Sequence, residues 1–346
     1  MDLTRQKIRF ATIRAGLDVI AYSGIADLMA QSALGSVIFT LHHVRPNEEA
    51  KIQPNKILSI TPEFLAEAIE TALQIGLIPV HLHEIPSLLA NQGEKRRFVA
   101  FTLDDGYRNN MQHAAPVFRR FNVPYTVFPT MGFIERRRTI WWETCGLLLE
   151  KQDVLNFDFG QGVERVEAKS HDEKLRAFNR FADFVNLTDE DGAVNRIDQL
   201  ARHHDIDPLA IVSDLVLDGA ELSQFAKDPL VKIGAHSVTH VNLRRVSDAR
   251  LKQEIDDSIK GIEHYCGYRP KSFAYPYGWR SAYGKREEQA ILEAGFQVGV
   301  TTRPQVLRRS SADNPASFGR ISLNGDFQKR RYVKSLIAGL SLKAMK

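Results

Sequence analysis

Residues 101–106 have the sequence FTLDDG, an apolar run that ends in two adjacent aspartates and a glycine. The apolar run predicts a buried strand, which places Asp104 and Asp105 at its carboxyl end. In α/β folds, catalytic and ligand-binding groups collect at that end of the sheet. A DDG tripeptide also suits an ordinary turn, because aspartate bonds its own backbone and glycine accepts positive φ. Taken alone, this segment leaves a turn and a catalytic pair open.

A second segment of this kind lies far downstream. Residues 232–240, KIGAHSVTH, again run from an apolar stretch into polar side chains, here His236 and His240. Histidines four apart would share one face of a helix, and many such pairs are only packed or solvated. Two imidazoles and one carboxylate can also hold a divalent ion such as zinc and leave a coordination position for water. The two segments together predict a metal hydrolase in which one aspartate is free to act as a base.

Strand-like and helical patterns alternate along much of the chain. About seven runs have strand character, at residues 37–43, 78–82, 98–103, 125–130, 231–235, 272–276 and 296–302. The helical patterns between them include one that begins at Thr61 and Pro62 and stops at Gly76. A second begins after Ser247. This alternation predicts an α/β fold with a mostly parallel sheet, and the strand count fits an incomplete (β/α) barrel.

The segment 140–228 interrupts the alternation with charged helical patterns. We interpret it as a helical insertion at the barrel rim, with an oligomer contact as the alternative. Trp141 and Trp142 open this segment; they either stack on sugar or anchor the insertion, and the anchor is favoured because tryptophan is commonly packed. The sequence thus predicts four parts of the chain. They are a helical arm at 1–36, the barrel at 37–139 and 229–330, the helical insertion at 140–228, and a C-terminal helical tail at 331–346.

The composition suits one soluble enzyme rather than a nucleic-acid binder. The chain has 346 residues, of which 43% are hydrophobic and 25% charged, and its net charge of +4 is dispersed along the sequence. Cys145 and Cys266 are widely separated and predict neither a disulfide framework nor a thiolate zinc site. No apolar stretch is long enough to cross a membrane, and charged residues interrupt the N-terminal segment where a secretory signal would need an apolar core. A cytoplasmic location is therefore expected.

Three motifs carry a family resemblance. FTLDDGYRNN, GAHSVTH and FAYPYG resemble, in this order, the motifs of the polysaccharide deacetylases of carbohydrate esterase family 4, which include the nodulation-type chitooligosaccharide deacetylases. VIFTLHHV at 37–44 resembles the early YHxV segment of the exopolysaccharide-deacetylase subgroup. The resemblance covers about residues 37–135 and 228–325. It implies a distorted (β/α) barrel and a hydrolase that acts on carbon–nitrogen bonds other than peptide bonds.

The resemblance also implies roles for individual residues. The metal ligands would be Asp105, His236 and His240, with zinc the expected divalent ion and Asp104 the catalytic base. The backbone of Tyr277, in the PYG segment, would donate to the oxyanion, although PYG is also a plain turn. The expected substrate is an acetylated glycan that contains N-acetylglucosamine.

The sequence departs from the family pattern at two places. No histidine follows His264, and the resemblance to the exopolysaccharide-deacetylase subgroup implies that the early segment supplies the general acid instead, where the match falls on His42. The adjacent His43 would point to the opposite side of a strand, and it stays the alternative. The arginine that usually precedes PYG is replaced by Ala274, and Arg320 in FGRISL is the candidate to take its place beside Asp104.

These departures leave other functions open. The same site could serve an O-acetyl esterase or a deacetylase of a nonsugar amide. A catalytically silent carbohydrate-binding barrel is a further alternative, against which the presence of both aspartates and both histidines argues. The sequence leaves the oligomeric state open.

Overall fold

The computed structural model describes residues 3–23, 35–46, 55–91 and 96–339. Parts of the predicted arm and tail, residues 1–2, 24–34 and 340–346, lie outside the described residues. The strands are β1 Val37–Leu41, β2 His43–Val44, β3 Ser59–Ile60, β4 Ile78–Pro79, β5 Phe98–Asp105, β6 Tyr125–Pro129, β7 Val154–Asp158, β8 Val163–Glu167, β9 Val231–Ile233, β10 Ser272–Ala274, β11 Val298–Thr301, β12 Phe318–Gly319 and β13 Ile321–Ser322.

Helices connect most of these strands. The α-helices are Leu3–Tyr22, Pro62–Gln74, Ile85–Asn91, Ala115–Phe121, Met131–Ile134, Trp141–Lys151, His171–Leu187, Glu190–His203, Pro208–Leu215, Gly219–Phe225, Asp248–Cys266, Lys285–Glu293 and Arg330–Ile337. A π-helical turn, Asn110–Ala114, follows the end of β5.

The barrel wall consists of two parallel sheets. The larger has the order β13-β1-β5-β6-β9, with β4 also paired to β5, and the smaller has the order β10-β11-β12. A bridge between Ala235 and Phe273 joins them after β9, and Arg320 alone separates β12 from β13 along the chain. Helices cover parallel sheets, so the central strands are apolar on both faces, and every residue of β1 and β5 is buried.

This architecture confirms the predicted α/β fold with a mostly parallel sheet in an incomplete barrel. The predicted strand at 78–82 was too long, because the chain pairs only at Ile78–Pro79 and then turns into a 3₁₀ helix, Leu82–Glu84. The predicted strands that begin at 231 and 272 also end earlier, at Ile233 and Ala274. In both of these strands, the residues predicted beyond the observed end belong to the loop at the carboxyl edge of the sheet.

The predicted helix boundaries have the expected caps. Thr61 accepts a hydrogen bond from the Phe64 N–H at the start of the helix Pro62–Gln74. Ser247 accepts from the Arg250 N–H at the start of Asp248–Cys266, which ends at Gly267 with φ +75°. These caps satisfy N–H groups that have no partner within the helix.

The segment 140–228 contains five helices and one antiparallel hairpin, β7–β8, among its described residues. Trp141 and Trp142 at its start are each only 7% exposed, which fits the interpretation of these indoles as packing anchors. The helix Leu3–Tyr22 lies against Arg330–Ile337, where Arg331 donates to Asp18 at 2.7 Å. No helix within the described ranges is long and apolar enough to cross a membrane.

Candidate metal centre

The two aspartates are the last residues of β5, and both are buried. Asp105 has φ +71° and Gly106 φ +75°, so the chain bends through two left-handed residues as it leaves the strand. A Cβ at Gly106 would lie 3.0 Å from Cβ of Pro129, which is why this turn requires glycine. The bend directs the two neighbouring carboxylates into different surroundings.

The two histidines lie in the loop after β9 and not on a helix. Ser237 and His240 have φ +59° and +55°, and the Ser237 hydroxyl accepts a hydrogen bond from the His240 N–H at 3.0 Å. The loop thus brings the two imidazoles together through left-handed residues rather than through helical spacing. Such strained residues persist where the surrounding structure holds them, and they collect at functional sites.

Asp105, His236 and His240 form one buried cluster. Asp105 Oδ1 lies 3.6 Å from Nε2 of each histidine, and it has no hydrogen-bond partner within the described part of the chain. His236 donates from Nδ1 to the carbonyl oxygen of Ala274 at 2.7 Å, which leaves the Nε2 lone pair directed at the cluster. A buried, unpaired carboxylate oxygen beside imidazole nitrogens is the donor set that divalent metals accept. The three residues therefore fit a metal ion.

Both oxygens of Asp104 accept hydrogen bonds from protein groups. Arg320 Nη1 donates to Asp104 Oδ1 and Nη2 donates to Oδ2, both at 2.7 Å. The guanidinium is completely buried and is itself held by the Thr102 hydroxyl and the Thr301 carbonyl oxygen. The Thr40 hydroxyl lies 3.4 Å from Asp104 Oδ2. This bidentate geometry fixes the plane of the carboxylate.

The pKa values of the two aspartates shift in opposite directions. Burial alone would raise the pKa of Asp104, but the charge and hydrogen bonds of Arg320, together with the nearby imidazoles of His236 and His42, outweigh it and hold this pKa well below its usual range. Burial and the neighbouring negative charges of Asp104 and Glu143 raise the pKa of Asp105 well above its usual range. Opposite shifts of two adjacent carboxyl groups are typical of sites with divided roles.

The adjacent histidines of the early segment also differ. His43 has both ring nitrogens engaged, with Nε2 3.2 Å from Glu143 Oε1 and Nδ1 2.7 Å from Asn109 Nδ2. His42 retains some exposed surface, and it lies within electrostatic range of Asp104. Burial of its ring lowers the pKa of His42 to about 4. The structure therefore leaves His42, and not His43, with ring nitrogens available beside the aspartates.

Tyr277 lies in a turn that follows β10, with φ +62°. Its ring lies edge-on to His240 with 4.8 Å between the ring centroids, and the partly exposed Trp279 stacks on its other side at 4.9 Å. Its carbonyl oxygen accepts from the Thr302 hydroxyl at 2.8 Å, and its own hydroxyl donates to Glu190 Oε1 at 2.7 Å. The PYG turn thus belongs to the same site as the two motifs.

Sequence patterns did not reveal two buried acids beside this site. Glu143 contacts His43 and the Tyr107 hydroxyl, and Glu190 contacts Tyr277. Glu190 lies 87 positions before Tyr277 in the chain, in the segment that the sequence predicted only as a helical insertion or an oligomer contact. A hydrogen bond between residues so far apart in the sequence leaves no periodic pattern in a single sequence.

Comparisons with known proteins identify a family and a shared fold. The sequence profile of the family described as polysaccharide deacetylase matches residues 91–299. No curated protein sequence matches the chain.

Among solved structures, the fold is similar to the deacetylase PplD of Streptococcus pyogenes in complex with acetate, with a TM-score of 0.53, 14% identity and coverage of 84% of this chain and 92% of that one. It is also similar to IcaB from Ammonifex degensii, with a TM-score of 0.53, 16% identity and coverage of 90% and 98%. For BC0361, a polysaccharide deacetylase from Bacillus cereus, the TM-score is 0.53, the identity 14% and the coverage 87% and 68%. At such identities the similarity establishes the fold.

Proposed function

We propose that this chain, which belongs to the polysaccharide deacetylase family, is a metal-dependent hydrolase that removes N-acetyl groups from glycans containing N-acetylglucosamine. The observation that carries the proposal is the convergence of His236 and His240 on one unpaired oxygen of Asp105, next to Asp104, which Arg320 holds at both oxygens. Family membership supplies the reaction class, a hydrolase acting on carbon–nitrogen bonds. The residue roles given below are part of the proposal.

Asp105, His236 and His240 would hold the metal, and zinc suits their mixed nitrogen and oxygen donors. A bound ion of this kind lowers the pKa of water and polarises the acetyl carbonyl. His236 is fixed in a single tautomer by Ala274, so its Nε2 needs no rearrangement to serve as a ligand.

Asp104 takes the role of the base that accepts a proton from the attacking water. Arg320 keeps the carboxylate ionised and fixed in one orientation. An ionised carboxylate has about four lone-pair sites, so a bidentate guanidinium still leaves it capacity to accept from water. Pairing with arginine therefore orients the base without blocking it.

His42 takes the role of the acid that protonates the departing amine. Its low pKa means that it is neutral at rest and receives its proton during turnover, from the water proton that Asp104 accepts. The Asp104 carboxylate lies within electrostatic range of His42. His42 is preferred to His43 for this role because Glu143 and Asn109 engage both ring nitrogens of His43.

The backbone N–H of Tyr277 is proposed to donate to the oxyanion of the tetrahedral intermediate. The left-handed φ of Tyr277 and its contact with the ring of His240 support this role, because they fix the turn beside the proposed metal ligands. Substitution of the side chain leaves the backbone N–H in place, so this donor is tested through the groups that hold the turn.

The test is acetate release from N-acetylglucosamine oligomers by purified protein that has been stripped of metal and reconstituted with zinc. We expect release only with zinc, and a loss of about 10²-fold or more in Asp104→Asn. Asp198→Asn is the matched control, because Asp198 is a buried carboxylate whose partner is Thr139. Release of acetate from O-acetylated but not from N-acetylated substrates would overturn the proposed substrate class. An absence of release from every acetylated substrate would overturn the hydrolase function itself.

A further inference from the structure

One buried carboxylate beside the site has no role in the mechanism above. Glu190 is the first residue of the helix Glu190–His203, whose N-cap is Asp189. A glutamate in the first helical turn ordinarily extends into solvent near the free N–H groups. Glu190 is instead only 5% exposed and extends away from its helix toward the barrel.

The two oxygens of Glu190 bond two different loops of the site. Oε1 accepts from the Tyr277 hydroxyl at 2.7 Å, and Oε2 accepts from the backbone N–H of Asn242 at 2.9 Å. Tyr277 belongs to the turn after β10, and Asn242 lies two residues beyond His240. One carboxylate therefore ties the turn of the proposed oxyanion donor to the loop of a proposed metal ligand.

A second side chain of the segment 140–228 also bonds to the Tyr277 hydroxyl. Trp141 Nε1 donates to the Tyr277 hydroxyl at 3.2 Å, while the Tyr277 ring lies against His240. Tyr277 and His240 both have left-handed φ, a conformation that side chains other than glycine keep only where neighbouring groups hold it. Within the described residues, Glu190 is positioned to hold both at once.

We propose that Glu190 is a positioning residue for deacetylation, through which the segment 140–228 fixes the Tyr277 turn and the His240 loop. In this proposal the segment 140–228 is part of the site and not only an insertion at the barrel rim. The kinetic consequence rests on the proposed function, whereas the structural consequence does not.

The test compares Glu190→Gln, Tyr277→Phe and the double variant. Each single change weakens the same connection, so we expect kcat to fall about tenfold or more with KM changed less than about twofold. The double variant should be no worse than the more impaired single variant, because residues that act through one hydrogen bond are not additive. Zinc affinity, measured by titration of the metal-free protein, should change less than kcat.

Asp198→Asn supplies the matched control, since Asp198 is a buried carboxylate of the same helix that accepts from the Thr139 hydroxyl at 2.8 Å. We expect it to lower the unfolding temperature about as much as Glu190→Gln while kcat stays unchanged. An equal fall of kcat in the control, or losses that add in the double variant, would overturn the positioning role. Tyr277→Phe keeps the test decisive if Glu190→Gln folds poorly.

A readout without substrate separates this inference from the proposed function. Amide hydrogen exchange of the full chain should accelerate around residues 240–243 and 276–279 in Glu190→Gln and stay unchanged there in Asp198→Asn. Unchanged exchange in Glu190→Gln would overturn the inference. Accelerated exchange in a chain whose wild type releases no acetate would uphold the inference and count against the function.

Discussion

The last two residues of β5 are covalent neighbours with contrasting surroundings. Asp104 lies on what we term the arginine side, where both of its oxygens accept from Arg320. Asp105 lies on the histidine side, where Oδ1 faces His236 and His240 without a hydrogen bond from any described residue. The protein thus supplies a counter-charge to one carboxylate, whereas the other faces the histidine nitrogens of the proposed metal site.

The backbone differs between the two sides as well. The arginine side is built on regular strands, with Thr40 in β1 and Thr102 in β5. The histidine side is built on residues with left-handed φ, namely Asp105, Ser237 and His240. Regular strands fix a permanent ion pair, whereas the bent loops direct ligand atoms toward a common point at a cost in backbone strain. The contrast predicts different responses to substitution.

The largest expected effect is the loss of the arginine. Arg320→Met leaves the Asp104 carboxylate buried without its partner, which is expected to destabilise the protein by about 3–5 kcal/mol. The measurement is urea unfolding of the metal-free protein. The double variant Arg320→Met/Asp104→Asn removes both charges and should be more stable than Arg320→Met alone. A double variant that is less stable by the sum of both changes would show that the two side chains act independently.

The next largest expected effect is the stabilisation of the folded protein by zinc bound at the histidine side. A ligand that binds only the folded state adds about 2.7 kcal/mol at 100 times its Kd. The increment, measured as the rise in unfolding temperature on zinc addition, should vanish in His240→Ala and persist in Asp104→Asn. Persistence in His240→Ala would place the ion elsewhere in the chain.

The sequence predicted which site residues lie at the carboxyl edge of the sheet better than it predicted which groups surround them. The alternation of strand and helix patterns anticipated the parallel barrel, and the motifs with their family resemblance brought Asp105, His236 and His240 together as candidates. Arg320 was a candidate partner of Asp104 because the arginine that usually precedes PYG is missing, and the structure places it there. These features depend on local pattern, on the family resemblance and on the rule that parallel strands end at the same edge.

Other features depend on the tertiary fold alone. Spacing could not show that His236 and His240 converge through left-handed residues, because φ of a non-glycine residue has no sequence signature. The contact of Glu190 with Asn242 joins residues 52 positions apart in a part of the chain outside the motifs. Both features were therefore accessible only from the structure.

The two sides should also respond oppositely to acid. Asp105 has a raised pKa in the folded metal-free protein, so its charge lowers stability at neutral pH, and that penalty is relieved as pH falls through the raised pKa toward the usual value of 3.8. Asp104 has a lowered pKa, so its contribution is intact above 3.8 and is lost only as pH falls through its lower folded value.

Above pH 3.8, therefore, Asp105 is the one of the two aspartates whose contribution to stability changes with pH. In chelator, the stability of the wild type relative to Asp105→Asn should rise as pH falls, by at most about 1.4 kcal/mol per pH unit. Urea unfolding at several pH values checks the slope. A difference that is independent of pH in this window would mean that Asp105 is not strained by burial.

The smallest expected effect concerns a hydroxyl on the arginine side. Thr40 donates to Asp104 at 3.4 Å, a long hydrogen bond to a carboxylate that Arg320 already holds at both oxygens. Thr40→Val should therefore cost about 1 kcal/mol or less. Thr126→Val is the matched control, because the buried Thr126 hydroxyl has no hydrogen-bond partner among the described residues and its loss should be neutral or stabilising. If Thr40→Val instead costs as much as Arg320→Met, the arginine does not hold Asp104 by itself, and the contrast between the two sides rests on the hydroxyl as much as on the charge.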